Sequence, residues 1–205
     1  MNIDLNTFAK DVVSLQDEFT AAWHQDDGAA LIDEPEEKQL VLDQHRQNYD
    51  LWHQEDKARD PAADDEIIAD VKRKIDKLNQ RRNDLITVID EYLEDHHFKP
   101  TEEQRQLPWN SETIGSVIDR LSIASLKTFH MREQTERTDA SRDHVASCQI
   151  KLQQLLQQQS DLATALQSLI DDVQSGVKQN KLYRQFKMYN DPSLNPAIYK
   201  TKQDT

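Results

Sequence analysis

A lone cysteine, Cys148, in a chain of 205 residues leaves no partner for an internal disulfide and too few thiolates for a cysteine-based zinc site. Cytoplasmic residence is the simple expectation. Glycine, at 3 residues, and proline, at 6, are too scarce for an all-β or loop-rich protein. No stretch approaches the ~18 apolar residues of a spanning helix, and the start, MNIDLNTFAK, lacks the basic and apolar regions of a secretory leader. Membrane insertion is not expected. A basic excess is missing too: the net charge of -13 argues against unspecific binding to nucleic acid or anionic membrane. Glycine-rich phosphate loops, a nucleophile elbow and a cysteine with a nearby base are absent. No cofactor is implied, and the residues do not decide whether anything is catalysed.

What the chain does have is long helical periodicity in a charged, glutamine-rich composition. Leu5, Phe8, Val12, Leu15, Phe19 and Trp23 recur at helical spacing, predicting a docking helix within residues 1–28. The pattern breaks from Gly28 to Pro35, and a second helix runs from about Glu36 to Arg59, where Asp60-Pro61 stops it. Asp64 is placed to cap a third helix reaching about Tyr92. Its seam reads Ile68, Val71, Ile75, Leu78, Arg82, Leu85, Ile89 and Tyr92, in steps of three and four. An irregular connection with Pro100 and Pro108 leads to a fourth helix from Asn110 to Met131, with Asn110 or Ser111 as its cap. The fifth has the seam Val145, Cys148, Leu152, Leu155, Gln159, Leu162, Leu166 and Leu169, and closes at Ser175-Gly176.

The expected fold is therefore all-α: a four-helix bundle core of two helical hairpins over residues 36–176, an N-terminal helix, and a basic, aromatic C-terminal docking segment over 177–205. An offset of 77 residues carries Trp52-His53 onto Phe129-His130, Asp56 onto Glu133, Arg82 onto Gln159 and Leu85 onto Leu162. That register reads as an internally duplicated hairpin.

The fourth helix is the unusual one. Ile114, Val117, Ile118, Leu121 and Ala124 form a core stripe, yet the other face mixes Ile123 and Leu126 with Glu112, Asp119 and His130, flanked by Arg120 and Lys127. Both faces must be covered, either by the chain itself or across a homodimer interface. In the second helix His45, Asn48, Tyr49, Trp52, Asp56 and Arg59 share roughly 100° of arc, so burial of the aromatics draws polar groups inward. Arg82 at a seam position needs a carboxylate or an anionic ligand. Asp56, Glu112 and Asp119 are the candidate partners, with Asn79 and Asn83 beside it.

Histidine and acid recur three residues apart as His53-x-x-Asp56 and His130-x-x-Glu133, but the acids needed to complete a di-metal bundle site, Asp84 and Asp161, point away from their seams. No metal site closes on that pattern. Glu91-x-x-Glu94 and Glu133-x-x-Glu136 have the spacing of magnesium-dependent helical nucleotide pyrophosphohydrolases, a further reading, although both sit near helix ends. In the tail, Lys178, Lys181, Arg184, Lys187, Lys200 and Lys202 stand against Asp191 alone between Val177 and Lys202. Packing of this segment on the fourth helix would bring Arg184 and Lys187 to Glu112 and Asp119, or to a bound anion.

HRQNYDLWHQEDKARDP, IDKLNQRRNDLI, NSETIGSVIDRLSIASLKTFHM and YRQFKMYNDPSLNP resemble the signature blocks of the bacterial family catalogued as domain of unknown function 4254. The resemblance spans residues 45–195 and implies a bacterial, cytoplasmic, all-helical protein, sometimes encoded beside glycosyltransferases of envelope polysaccharide synthesis. It implies no activity. The residues support a polar interhelical pocket for an anionic, sugar-phosphate or nucleotide-sugar ligand, formed by His45, Asn48, Trp52, Asp56, Asn79, Arg82, Asn83, Glu112, Asp119, Lys127, His130, Tyr183, Arg184 and Lys187. In that reading Trp52 stacks on a ring, the cations hold phosphate, and His45 or Asp56 transfers a proton. The alternative is an interaction module, its polar groups closed in salt bridges, docking to a glycosyltransferase or another partner.

Overall fold

The computed structural model describes residues 4–27, 35–183 and 193–196. They form five α-helices, α1 (Phe8–Gln25), α2 (Glu36–Ala58), α3 (Asp65–Leu93), α4 (Ile114–Thr135) and α5 (Arg142–Gln174). Between α3 and α4 lie a π turn, Glu94–Phe98, and a 3-10 turn, Gln104–Gln106. None of the described helices is long and apolar enough to cross a membrane.

Helix ends fall where local chemistry supplies partners for the orphan backbone groups. Asp64 accepts from the Ile67 N–H at 2.9 Å, as its position predicts, and Ser141 caps α5 by accepting from His144. At α4 the cap is Thr113, which accepts from Ser116 at 3.1 Å, not Asn110 or Ser111. The first two N–H groups of α4 bond to other elements: Ile114 donates to Asn180 and Gly115 to the buried Asp90 of α3. Helix α5 closes in a Schellman arrangement, with Gly176 at φ 69°, its N–H on Val173 and the Val177 N–H on Asp172.

Helix α2 packs along α3 and α4 along α5, the two expected hairpins. Gln44 and Asn48 of α2 meet Asp119, while Trp52 meets His130, so α2 and α4 run the same way. Helix α1 runs with them, Gln16 reaching the Ile118 carbonyl and His24 stacking on Phe129, and opposite to α5, to which it is tied through Gln167 and Gln159. Helix α4 is thus packed against α1, α2, α3 and α5, which explains its two apolar faces, while Arg120 and Lys127 between them stay exposed. Ile114, Ile118 and Leu121 are wholly buried on one face and Leu126 and Asp119 are buried on the other. Gly115 permits the α3–α4 approach, since a Cβ there would lie 2.6 Å from the Ile86 carbonyl oxygen.

The start of the C-terminal segment straps the α3–α4 connection. Gln179 bonds to Arg105, Leu107 and Pro108, and Asn180 to Asp90 and Ile114.

Candidate functional site

Arg82 finds its counter-charge in Asp119. Its Nε and Nη2 donate to Oδ1 and Oδ2 of that carboxylate at 2.6 and 2.5 Å, the parallel two-bond geometry that a guanidinium favours. Asp119 Oδ1 also accepts from Gln44 at 2.5 Å and Asn48 at 2.9 Å. One buried carboxylate therefore joins α2, α3 and α4, and it raises Arg82 further above the ordinary arginine range through those hydrogen bonds. Of the three acids the sequence offers to Arg82, Asp56 is exposed and Glu112 is paired with Arg120.

A second polar chain runs beneath this pair and fixes the tautomer of His45. Thr20 gives its own proton to the Gln16 carbonyl at 2.7 Å, so at 2.9 Å from His45 Nε2 it acts as acceptor. His45 Nδ1 is then the acceptor of the Ser122 hydroxyl at 2.7 Å, and Ser122 in turn accepts from Asn48 at 2.9 Å. Every proton is placed for a neutral ring. Complete burial lowers the His45 pKa to about 3. With both nitrogens engaged and no exposed surface, His45 is a structural member of the bundle and does not reach a ligand.

Above the ion pair lies a groove of about 400 Å³ lined by Asn48, Leu51, Trp52, Glu55, Asp56, Arg59, Asn79, Arg82, Ile123 and Leu126. Five of the residues chosen from the sequence, Asn48, Trp52, Asp56, Asn79 and Arg82, meet here. Asp119 lies under it, buried. Asn83 and Lys127 are on α3 and α4 but not in its wall, and Lys127 is exposed. Glu112 precedes α4 and is not in the groove wall. Tyr183 is 53% exposed beside Lys181, and Arg184 and Lys187 lie outside the described residues. The cations at the start of the basic tail are engaged: Lys178 pairs with Asp172 and Lys181 sits over Trp109 at 3.8 Å.

His130 turns to the other side of Trp52. The two rings stack at 4.6 Å and 11°, and His130 faces His24 and His53, with ring centroids at 5.0 and 6.1 Å. One ligand nitrogen from each of the three lies within 4.8 Å of the others. Burial, and then the neighbouring His130 and His53, hold His24 below the ordinary histidine pKa. The 77-residue register pairs His53 with His130; His24, which flanks the core residue Trp23, gives no periodic signal of its own. Asp84 and Asp161, the acids that pattern requires, are exposed and accept from Gln80 and Gln157 of their own helices. The glutamate pairs fare likewise. Gly115 at the start of α4 touches Asp90, which puts Glu91 and Glu94 at the opposite end of α4 from Glu133 and Glu136, roughly 30 Å away at ~1.5 Å per residue.

The chain belongs to the protein family of unknown function DUF4254, whose family model matches residues 38–182. No curated protein and no solved structure matches it.

Proposed function

We propose that this member of the DUF4254 family binds a sugar-containing anion, a sugar phosphate or nucleotide sugar, in the groove beside Arg82. The observation that carries the reading is the indole of Trp52. Stacking on His130 holds it from one side, and it lines a groove furnished with the amides of Asn48 and Asn79 and the carboxylates of Glu55 and Asp56. A sugar buries one C–H face against such a ring while amides and carboxylates take its hydroxyls. Arg82 contributes beyond its ion pair: a guanidinium carries five N–H donors, and Asp119 occupies two of them. Arg59 at the groove pairs with Glu55, an exposed pair that a phosphate can exchange at little cost. Of the two proton carriers the sequence offers, His45 is sealed below and only Asp56 lines the groove, so binding is the reading put forward. A place in envelope polysaccharide synthesis rests on the family resemblance.

Thermal-shift measurements with nucleotide sugars, sugar phosphates and free nucleotides test this. A ligand at a hundredfold its Kd stabilises by about 2.7 kcal/mol, on the order of 5–10 °C for a chain of this size. Trp52→Ala and Asn79→Ala should abolish the shift. No stabilisation by any sugar-containing anion would reject the reading.

A second reading, a non-catalytic module docking to a glycosyltransferase, is supported by the exposed aromatics Trp109 and Tyr183, 49% and 53% exposed around Lys181. Loss of such a partner on Trp109→Ala, with ligand shifts absent, would favour it.

A further inference from the structure

Three histidines from three helices converge on the far side of Trp52 from the groove, and their hydrogen bonds dictate which nitrogen each presents. His24 Nδ1 is 2.7 Å from the Thr20 carbonyl and His53 Nδ1 is 2.8 Å from the Tyr49 carbonyl. A carbonyl oxygen can only accept, so both rings carry their proton on Nδ1. His130 Nδ1 is 2.8 Å from the Glu133 carboxylate, which likewise accepts from an Nδ1–H. In the neutral rings all three Nε2 atoms are thus lone-pair acceptors. His24 Nε2 and His130 Nε2 are buried and have no hydrogen-bond partner among the described residues. Burying unpaired acceptors is costly, and one ligand nitrogen of each ring lies within 4.8 Å of the others. A cation among them removes that cost.

We propose that His24, His53 and His130 form a three-histidine site for a divalent transition-metal ion of the zinc class, with the remaining coordination position open to water. The ligand chemistry selects the ion: neutral imidazoles suit Zn²⁺, Co²⁺, Ni²⁺ and Cu²⁺, whereas Mg²⁺ and Ca²⁺ require oxygen donors. The geometry is that of a site ready to close. Nitrogens held at ~2.0–2.1 Å from one tetrahedral ion are about 3.3 Å apart, so the present separations, up to 4.8 Å, need an inward shift of about 1.5 Å or less, within the reach of small χ rotations. The outer shell is already built. Each ligand donates its other N–H to an oxygen, two backbone carbonyls and a carboxylate, the arrangement that fixes ring orientation at histidine metal sites. Phe129 stacks on His24 at 4.1 Å and Trp52 on His130 at 4.6 Å, so the rings are held by packing as well. Because His24 belongs to α1, outside the matched residues 38–182, the ion would fasten the N-terminal helix to α2 and α4.

The test uses the full chain stripped with a chelator and titrated with Zn²⁺ against a chromogenic competitor, and with Co²⁺ followed by visible absorption. Stoichiometric binding and ligand-field bands saturating at one equivalent are expected. His24→Ala, His53→Ala and His130→Ala should each weaken Zn²⁺ binding by more than about a hundredfold, and Glu133→Gln, a positioning change, by roughly tenfold. His96→Ala, an exposed histidine stacked on Tyr92, should leave affinity unchanged. Circular dichroism establishes that each variant is folded. Where an alanine variant unfolds, the glutamine variant replaces it, and the Co²⁺ spectrum of the unaltered chain decides by itself. Absence of ligand-field bands at one equivalent, or Zn²⁺ affinity indifferent to the three substitutions, would overturn the proposal. Neither outcome bears on sugar binding at Trp52, which is read without metal.

Discussion

Removing the charge from either side of the Arg82–Asp119 pair should destabilise the protein more than removing both. The Asp119 side chain is 7% exposed and that of Arg82 23%, so Arg82→Leu strands a nearly dry carboxylate, held only by the Gln44 and Asn48 amides. Breaking a buried pair from one side costs about 3–5 kcal/mol, and this variant belongs in that range. Asp119→Asn leaves a guanidinium with one edge in the groove. Partial solvation there lowers the expected cost to about 2–3 kcal/mol. In the variant carrying both substitutions the new amide oxygen at position 119 still accepts from the Gln44 and Asn48 amides and no unpaired charge remains, so the loss should be about 1–2 kcal/mol, well below the sum of the singles. Urea unfolding followed by far-UV circular dichroism reads this directly: with m near ~2 kcal/mol/M, Arg82→Leu should move the midpoint down by about 1.5–2.5 M. Strict additivity, or single variants within about 0.5 kcal/mol of the parent, would show that the pair is a solvated surface contact and refute the argument.

Gly115→Ala should cost about 2–3 kcal/mol by overpacking, because the added methyl meets backbone, the Ile86 carbonyl oxygen at 2.6 Å, which cannot swing aside; an unchanged urea midpoint would refute the close approach of α3 and α4. His45 makes stability depend on acid. Its folded pKa, about 3, lies below the ordinary histidine value of 6.5, so between those values the unfolded chain binds the extra proton and stability falls as pH drops, by up to about 4–5 kcal/mol in total. The buried Asp90 carboxyl, raised by desolvation, acts in the opposite sense just above the ordinary aspartate pKa, so the His45 contribution is read as the difference between parent and His45→Gln. That difference, measured with a chelator present, should shrink as pH falls through the window; a flat difference would place the ring in solvent.

The helices and most of their seams are legible in the sequence because the signal is local: apolar side chains three and four residues apart share a face whatever lies opposite. Ile68, first in the expected α3 seam, is 37% exposed, because it lies in the first turn of α3. Arg82 is legible for the same reason, a charge in an apolar row, and its need for a carboxylate narrows the partner to three acids, of which the fold selects Asp119. The neighbours that complete the site are not. Gln16, Thr20, Gln44, Ser122 and Ser125 are buried, but short polar side chains within a helix look the same in sequence whether they face water or a partner. His45 misleads for a related reason. Sharing an arc with Trp52 suggests that both face one pocket, whereas His45 sits two turns away, where α1 closes over it through Thr20. The histidine cluster is half legible. The 77-residue register pairs His53 with His130, but following that register to further ligands leads to Asp84 and Asp161, while the third histidine comes from the one helix without a counterpart.

That helix stands outside the 77-residue register, and its removal is the sharpest test of the architecture. Residues 77 apart meet directly in two layers: His45 with Ser122 through a hydrogen bond, and His53 with His130 at 6.1 Å between rings. Contacts between equivalent positions are what a two-fold axis running between α2 and α4 requires. In each layer α1 adds the group the pair lacks, Thr20 to His45 and His24 to the other two histidines. It also buries Phe8, Val12, Leu15 and Trp23, each worth about 1.5–3 kcal/mol. Together these amount to about 6–12 kcal/mol, comparable with the whole stability of a domain. Deleting residues 1–27 should therefore give a chain without a cooperative urea transition and with protease-sensitive α2 and α4, although the matched family region is intact. A truncated protein retaining the parent's midpoint and protease resistance would mean that the two hairpins form the core unaided and that α1 is an accessory.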